Sequence, residues 1–364
     1  MSSDLYREAE RILTICNACR YCEGFCAVFP AMERRRTFSQ EDLLYLANLC
    51  HNCRDCYYAC QYAPPHPFHL NFPETMARLR LAGYEECAWP SFARRFFGRK
   101  GAFYSAGCVA SFAALFLFLG IVSGRDLWTA HLQEGFFFSV ISYPLVVGLF
   151  GGLFVLAGVG LTKGVLNLWR KAGGPQGAWG SLSLHARALR DAATLRYLGG
   201  LGVGCNYPGD DFSMTRRYLH HAVFYGFGLC FAATSMAAFY EHFLDLRAPY
   251  PLGSWPVVLG TLGGLGILGG AGGLLWLKVK MDPDPAAAES TTHDLVFLGT
   301  LFLVALSGLL LLLLRNTPLM GGLLLVHLGL VAGFFAVMPW GKFVHGIYRY
   351  AALLRNAFEA SREA

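Results

Sequence analysis

The residues best suited to chemistry are cysteines. Eight of the chain's 12 cysteines fall between residues 16 and 60, in two blocks with the same spacing, C-x2-C-x2-C-x3-C. Thiolates at this density are the preferred ligands of zinc and of iron–sulfur clusters. The candidate metal ligands are Cys16, Cys19, Cys22 and Cys26 in the first block, and Cys50, Cys53, Cys56 and Cys60 in the second.

The spacing favours iron–sulfur clusters over zinc. Structural zinc sites commonly use two C-x2-C pairs separated by a longer loop, whereas each block here puts three cysteines in one compact run. The same run holds two [4Fe–4S] clusters in bacterial-type ferredoxins, where the fourth cysteine binds the other cluster. Eight thiolates leave no iron open, so we expect the clusters to relay electrons. The predicted ligand sets are Cys16, Cys19, Cys22 and Cys60 for one cluster, and Cys50, Cys53, Cys56 and Cys26 for the other.

The rest of the chain is apolar. Hydrophobic residues make up 55% and charged residues 15% of the sequence, against about 25% charged residues in ordinary soluble domains. This composition excludes a disordered chain, a collagen-like chain and most soluble enzymes. Each of six runs is long enough to cross a membrane. They lie at about 103–123, 136–161, 219–243, 256–277, 295–314 and 319–341.

We therefore predict an all-α membrane bundle of about six transmembrane helices, similar to a cytochrome b, with an N-terminal α-helical, ferredoxin-like domain for two [4Fe–4S] clusters. The expected divisions are 1–75 for the cluster domain, 76–102 for an amphipathic linker, 103–346 for the transmembrane domain with an inner loop at 162–218, and 347–364 for a cytoplasmic tail.

The positive charges predict an orientation for this bundle. Of 30 Lys and Arg residues, only Arg125, Arg247 and Arg315 fall in the three loops on the far side. By the positive-inside rule, both termini are then cytoplasmic, in a bacterial inner membrane. The first residues also lack the apolar segment of a signal peptide. The net charge of +6 is thus explained by topology, and we expect no nucleic-acid partner.

Histidines near the predicted spans are candidate haem ligands. His327 and His345 are 18 residues apart, which is five whole turns on one continuous helix and about 27 Å along its axis. The third span offers partners at two depths. His220 or His221 would pair with His345 for an inner haem, and His242 with His327 for an outer one. The expected cofactor is therefore one or two haem b groups.

Several other features have two interpretations. Gly264, Gly266 and Gly269 match a dinucleotide-binding motif but lie inside an apolar run, where small residues favour helix packing. The glycine-rich segment around Cys205 is either a docking or gating element or a plain connector. Arg34, Arg35 and Arg36 are either a solvated run or a surface that attracts an acidic partner. Three residues are candidates for a quinone site by position alone: Lys342, Tyr348 and Arg349.

Specific strings extend the comparison beyond the cysteine spacing. Four of them resemble the tricarballylate utilisation protein B family, whose members are also called CitB-domain proteins. These segments are CNACRYCEGFCAVFPAMERRRTF, YLANLCHNCRDCYYACQYAPPHPF, GVGCNYPGDDFSMTRRYLHH and PWGKFVHGIYRYAALLRN. The resemblance covers nearly the whole chain. It implies a membrane electron shuttle that reoxidises the FAD of a separate tricarballylate dehydrogenase, which forms cis-aconitate, and passes the electrons to the quinone pool.

Two other functions are weighed against this one. The first is a cluster-bearing membrane anchor that reduces quinone without haem, for another flavoprotein dehydrogenase. The second is a transporter with a cluster-bearing sensor domain. Such a transporter should carry ionisable residues inside its spans, and Glu241, at the end of one span, is the candidate in the sequence. Whether the chain is itself a quinone reductase is left open at this stage.

Overall fold

The computed structural model describes residues 2–124, 127–130 and 135–362. Within them the chain is almost entirely helical, with one two-stranded hairpin, which confirms the predicted fold class. The helices are α1 (Ser2–Cys19), α2 (Val28–Glu33), α3 (Gln40–Leu49), α4 (Asp55–Tyr58), α5 (Phe72–Cys87), α6 (Gly101–Val122), α7 (Phe137–Val140), α8 (Tyr143–Lys171), α9 (Leu182–Ala193), α10 (Thr215–Phe243), α11 (Trp255–Lys280), α12 (Ala288–Leu313), α13 (Met320–Val337) and α14 (Val344–Ala360).

Six segments of the described chain are long and apolar enough to cross a membrane, as predicted. They are α6, α8, α10, α11, α12 and the segment that runs from α13 into α14. In the first five of them no more than 28% of the apolar window is buried, as expected for helices surrounded by lipid, whereas 61% of the window of the sixth is buried inside the protein. Of the three arginines assigned to the far-side loops, Arg125 lies outside the described residues.

The N-terminal domain is built on α1, α3 and α5. Ser39 caps α3 in a capping box, because its side chain accepts from the amide of Asp42 and the Asp42 carboxylate accepts from the Ser39 amide. The apolar faces of the three helices form one core, which includes Ile12, Leu46 and Met76. The expected boundary at residue 75 falls inside α5, and the later half of that helix, including Tyr84, is also buried in this core.

The spans pack closely where glycines remove side chains. A Cβ atom on Gly263 of α11 would lie 2.7 Å from the carbonyl oxygen of Gly226 of α10. One on Gly266 would lie 3.0 Å from the carbonyl oxygen of Ala222. Gly264 faces the side chain of Leu309 on α12 in the same way. Two glycines of the motif in α11, Gly264 and Gly266, therefore lie in helix–helix contacts, in line with the packing interpretation, whereas a Cβ atom on Gly269 would meet nothing within 4 Å.

The sixth span is not one continuous helix. Helix α13 ends at Val337, a 3-10 turn follows at Met338–Trp340, and α14 begins at Val344. The expectation that His327 and His345 share one face required an unbroken helix, so it does not hold across this turn. Pro339 accounts for the break, because proline supplies no backbone N–H to the preceding turn.

The C-terminal residues belong to the core of the N-terminal domain. Leu353 and Leu354 of α14 are fully buried against it. Arg355 and Arg35 both donate to Asp42 Oδ1, at 3.2 and 2.5 Å, and both bond Glu359. The segment predicted as a tail thus fastens the cluster domain to the spans, and Arg35 is engaged in this network rather than solvated.

The inner loop is partly ordered by the same helix. The predicted amphipathic helix is present as α9, and His185 bonds the Tyr350 hydroxyl of α14 at 2.6 Å. A short hairpin follows, in which β1 (Cys205–Asn206) pairs with β2 (Phe212–Ser213) in antiparallel register. Helix α8 continues to Lys171, so the loop begins later than residue 162.

Candidate metal centre

The first cysteine block lies where α1 ends. Cys16 and Cys19 occupy the last turn of that helix, and Arg20 follows in the left-handed region, with φ 57°. This turn reverses the chain, so that Cys22 returns toward Cys16. The helix thereby presents three thiols to one place, as a C-x2-C-x2-C run must do to hold one corner of a cluster.

These thiols line an open cavity of about 210 Å³. Its other walls include Phe29, Leu70 and Phe72, which are apolar. The cysteines that line it are Cys16, Cys19, Cys22, Cys56 and Cys60. Burial, together with the nearby thiols of Cys60, Cys22 and Cys19, raises the pKa of Cys16 to about 12. A bound metal would reverse this effect, because a coordinating thiol is deprotonated.

The second block follows α3. Cys50 comes directly after this helix, and two residues with positive φ, Asn52 at 56° and Arg54 at 75°, turn the chain around the next cysteines. Cys56 then lies within α4. The first three thiols of this block, those of Cys50, Cys53 and Cys56, all interact electrostatically with the Cys26 thiol and so lie in one place.

Cys26 lies next to the second block rather than the first. The amides of Val28 and Phe29 donate to its sulfur, and burial together with the Cys50 thiol raises the pKa of Cys26 to about 12. The charge on Cys26 acts in turn on the thiols of Cys53 and Cys56. Cys60, by contrast, lies beside Cys16. The structure therefore brings each fourth cysteine to the opposite block, the arrangement that the crossed ligand sets require.

The donor set suits iron–sulfur clusters. Besides the thiols, backbone amides point at sulfur: the amide of Asn52 donates to Cys50 Sγ and that of Tyr62 to Cys60 Sγ, both at 3.4 Å. Such N–H···S bonds stabilise the negative charge on cluster sulfurs and help set the reduction potential. When bound, [4Fe–4S] clusters would supply one-electron transfer at these two positions.

Of the candidate haem ligands, the structure brings His220 and His345 together. Their ring centres are 6.2 Å apart, with the rings at 70° to each other. His345 Nδ1 lies 2.5 Å from the carbonyl oxygen of Lys342, to which it donates in the tautomer that leaves Nε2 free. His220 Nδ1 is buried and has no hydrogen-bond partner within the described part of the chain. The ring of Phe297 contacts His345, with centres 6.1 Å apart, and packs in turn against Phe343.

The remaining histidines lie elsewhere. The ring of His221 packs against Tyr225 on its own helix, with centres 5.7 Å apart. His327 Nδ1 bonds the Ser307 hydroxyl of α12 at 2.9 Å. His242 bonds the Tyr143 hydroxyl and the carbonyl of Ala238. No ring contact joins His242 to His327 in the parts of the chain that the structure covers.

Two arginines link the histidine pair to the second cysteine block. Arg349, one turn after His345 on α14, donates to the carbonyl oxygen of Cys50 at 2.9 Å. Arg216, one turn before His220 on α10, donates to the carbonyl oxygen of Asn52 at 2.6 Å. The same two arginines therefore contact the cysteine block and stand one helical turn, about 5.4 Å along the axis, from the histidines. No local pattern connects these residues, because the link spans three distant segments of the chain.

A second feature that sequence reasoning missed is a buried ionic cluster. Asp294 of α12 bonds Lys278 of α11 at 2.6 Å and Lys342 at 2.7 Å. In the sequence, Asp294 directly precedes the apolar run at 295–314, whereas α12 begins at Ala288, so that Asp294 is part of this helix. The signal in the sequence was a carboxylate at the start of one apolar run and a lysine at the end of each of two others. The cluster also accounts for Lys342, one of the candidate quinone-site residues.

The other two candidates for a quinone site, Arg349 and Tyr348, also have partners in the protein. Arg349 donates a hydrogen bond to the carbonyl oxygen of Cys50. Tyr348 is buried, and its ring meets that of Tyr84 edge-on, with centres 5.4 Å apart. Its hydroxyl faces Gly164 of α8, where a Cβ atom would collide with it. These contacts give Tyr348 a packing role between the cluster domain and the spans.

Comparison with known proteins agrees with the resemblance in the sequence. The family model for citrate utilization protein B matches residues 102–364, and the model for its Fer4-like domain matches residues 9–86. The chain is 45% identical to "Citrate utilization protein B" of Escherichia coli over 359 residues, which are 98% of this chain and 93% of that protein. No solved structure matches. The predicted family is thereby confirmed, and the chain belongs to the citrate utilization protein B family.

Proposed function

We propose that this protein takes electrons from the reduced FAD of a partner dehydrogenase and delivers them to membrane quinone, using two [4Fe–4S] clusters and haem b. The observation that carries the proposal is the pair of arginine contacts. Arg349 and Arg216, each one helical turn from a histidine of the pair, donate hydrogen bonds to the Cys50–Asn52 segment. An electron carrier needs short separations between its redox centres. A membrane anchor alone would not need the cysteine block to be linked to the histidine pair.

The proposed cluster ligands are the eight cysteines in crossed sets. Support comes from the cavity shared by Cys16 and Cys60 and from the proximity of Cys26 to Cys50. The Fer4-like family model over residues 9–86 points to the same chemistry. In this proposal the protein's own contribution is to hold both sites in one small domain, with amides aimed at the sulfurs.

The proposed haem ligands are His220 and His345. Their ring centres lie 6.2 Å apart, close enough for both imidazoles to hold one haem iron, which would supply one-electron transfer there. The bond from His345 Nδ1 to the Lys342 carbonyl would fix its ring and leave Nε2 for the iron. His221, His327 and His242 have other contacts.

The electrons balance over one turnover. A reduced flavin gives up two electrons and two protons, whereas each cluster carries one electron at a time, so the protein divides the pair. A quinone needs two electrons and two protons to become a quinol. For the proton supply we propose Asp294 and Lys278, at the inner ends of α12 and α11, together with Lys342, which lies between the 3-10 turn and α14.

We propose a tricarballylate dehydrogenase with FAD as the electron donor. Flavin dehydrogenation removes hydrogen from two adjacent carbons, and tricarballylate offers such a pair, with cis-aconitate as the product. Citrate, which the name of the Escherichia coli relative mentions, carries a hydroxyl on its central carbon and has no such pair. In a system that uses citrate, the electron donor would therefore be a different flavoprotein, or its substrate would be a tricarboxylate other than citrate.

The proposed location is the bacterial inner membrane, with the cluster domain and both termini in the cytoplasm. Basic residues support it: α8 ends with Arg170 and Lys171, and α11 ends with Lys278 and Lys280, all on the side of the cluster domain. The donor would then dock from the cytoplasm, where its substrate is found.

The test is quinone reduction by the full-length protein in lipid vesicles, with a reduced flavoprotein dehydrogenase as the donor. We expect quinol to form only when donor and protein are both present, and a dithionite-reduced spectrum to show the sharp α-band of b-type haem. Quinol formation without that band would favour the haem-free anchor. Tricarboxylate uptake that does not depend on the donor would favour the transporter and contradict the proposal.

A further inference from the structure

A ninth cysteine lies beside the second block. Cys205 belongs to β1 in the glycine-rich inner loop, and only 1% of its surface is exposed. Its sulfur, the sulfur of Cys53 and a carboxylate oxygen of Asp55 all lie within 4.8 Å of one another, and all three residues are buried. This grouping joins a loop of the membrane domain to the cluster domain, although the two are far apart in the chain.

The surroundings hold Cys205 in this place. The amide of Asn206 donates to Asp55 Oδ1 at 2.8 Å, which fixes the hairpin on the cysteine block. Leu195 and Leu198 complete a small buried apolar cluster with the two sulfurs. Gly204 precedes the strand with φ 98°, and a Cβ there would collide with the backbone of Ser213, so the hairpin needs glycine at this position.

Cys205 is not needed as a ligand. The other eight thiols complete two clusters of four, and Cys53 already belongs to one of these sets. A thiol beside a ligating sulfur can instead donate a weak S–H···S hydrogen bond. Such a bond withdraws negative charge from the cluster, and therefore favours the reduced state, which carries one more electron.

We infer that Cys205 is a positioning residue that donates a hydrogen bond to the sulfur of Cys53 and raises the reduction potential of the second cluster. The inference rests on the proposed function, because it assumes that Cys53 ligates a cluster. This cluster is the one that Arg349 and Arg216 connect to the histidine pair. The loop from the membrane domain would thus set the potential of the cluster that it covers.

The experiment is a redox titration of the purified full-length protein, followed by electron paramagnetic resonance of the reduced clusters. Cys205→Ala removes the donor, whereas Cys205→Ser replaces the thiol with a hydroxyl that also donates. Cys87→Ala is the matched control, because Cys87 is equally buried but belongs to the helical core of the domain. Iron content is measured for every variant.

We expect Cys205→Ala to shift one of the two cluster potentials to more negative values, with the iron content unchanged. Cys205→Ser should stay near the wild-type potential, and Cys87→Ala should not move it. Unchanged potentials in Cys205→Ala, an equal shift in Cys205→Ser, or a loss of iron from Cys205→Ala would each overturn the inference. If the wild-type protein itself holds no clusters, the proposed function fails instead, so the two failures are distinct.

Discussion

The rings of His220 and His345 lie 6.2 Å apart, centre to centre, with one on the third span and the other on the C-terminal helix. His221, the neighbour of His220, faces Tyr225 on its own helix instead. Successive residues on a helix are turned by about 100° from each other, so two adjacent histidines cannot both face α14. The choice between them follows from how the two helices pack.

The first prediction concerns haem. We expect His345→Ala and His220→Ala to abolish the α-band of the reduced protein, because each removes one of the two proposed axial ligands. His221→Ala, the matched control, should keep the band. The measurement is the reduced-minus-oxidised visible spectrum, with haem counted per chain. A full band in His345→Ala, or its loss in His221→Ala, would show that the pair is not the haem site.

The second prediction concerns the crossed cysteines. We expect Cys60→Ser to perturb the same cluster signal as Cys16→Ser, since the Cys60 thiol is the first of the thiols that act on Cys16. Cys26→Ser should instead match Cys50→Ser. Electron paramagnetic resonance of the reduced variants separates the two signals. Should Cys60→Ser alter the signal that Cys50→Ser alters, each block would hold its own cluster and the crossed sets would be wrong.

The third prediction concerns the link between cluster and haem. Arg349→Met removes one of the two charged donors to the Cys50 carbonyl, which keeps its bond from Arg80, and a hydrogen bond to a charged group is worth about 1.5–3 kcal/mol. We expect normal reduction of the clusters by the donor and slower reduction of the haem, because the Cys50 segment is held less firmly near His345. Stopped-flow spectra follow both steps. Arg36→Met serves as a control in the cluster domain, and an equal slowing there would argue against a specific link.

The fourth prediction concerns stability. Asp294→Asn leaves Lys278 and Lys342 as buried charges without their partner, and breaking a buried pair in this way costs about 3–5 kcal/mol. We expect a clear fall in the thermal unfolding temperature of the protein in detergent. Asp284→Asn, which changes an exposed aspartate in the adjacent loop, should leave that temperature unchanged. Equal melting of the two variants would mean that the ionic cluster contributes nothing to stability.

The fifth prediction concerns acid. Burial disfavours the charged form of Asp42, but the hydrogen bond and charge of Arg35, with help from Ser39, outweigh it and lower the pKa of this carboxyl below its usual value. A lowered folded-state pKa adds stability that is complete above the unfolded pKa of about 3.9 and is lost as pH falls through the folded value. We therefore expect the contact between the cluster domain and α14 to weaken below about pH 4.

Thermal unfolding across that pH range checks this expectation. Asp42→Asn should be less stable at neutral pH and should lose less stability on acidification, because it has no carboxylate there to protonate. Asp4→Asn removes an exposed carboxylate and should follow the wild-type curve. If Asp42→Asn and the wild type lost stability in parallel, Asp42 would not be the group that responds to acid.

Much of this protein could be predicted from local patterns. The cysteine spacing predicted the metal chemistry, because ligands two or three residues apart meet within one turn of chain, whatever the rest of the fold does. The six apolar runs predicted the spans, since a bilayer demands about 20 apolar residues in sequence. Both signals are short-range, and the described structure agrees with the fold class that they indicated.

The contacts between distant segments were decided by tertiary structure alone. Sequence left His220 and His221 equivalent and did not connect Cys205 with Cys53. Asp294 was placed in a loop, although it lies between two lysines of other helices. In each case the partner is more than a dozen residues away in the chain. Such pairings depend on how helices rotate and pack against each other, and no local pattern of residues records that rotation.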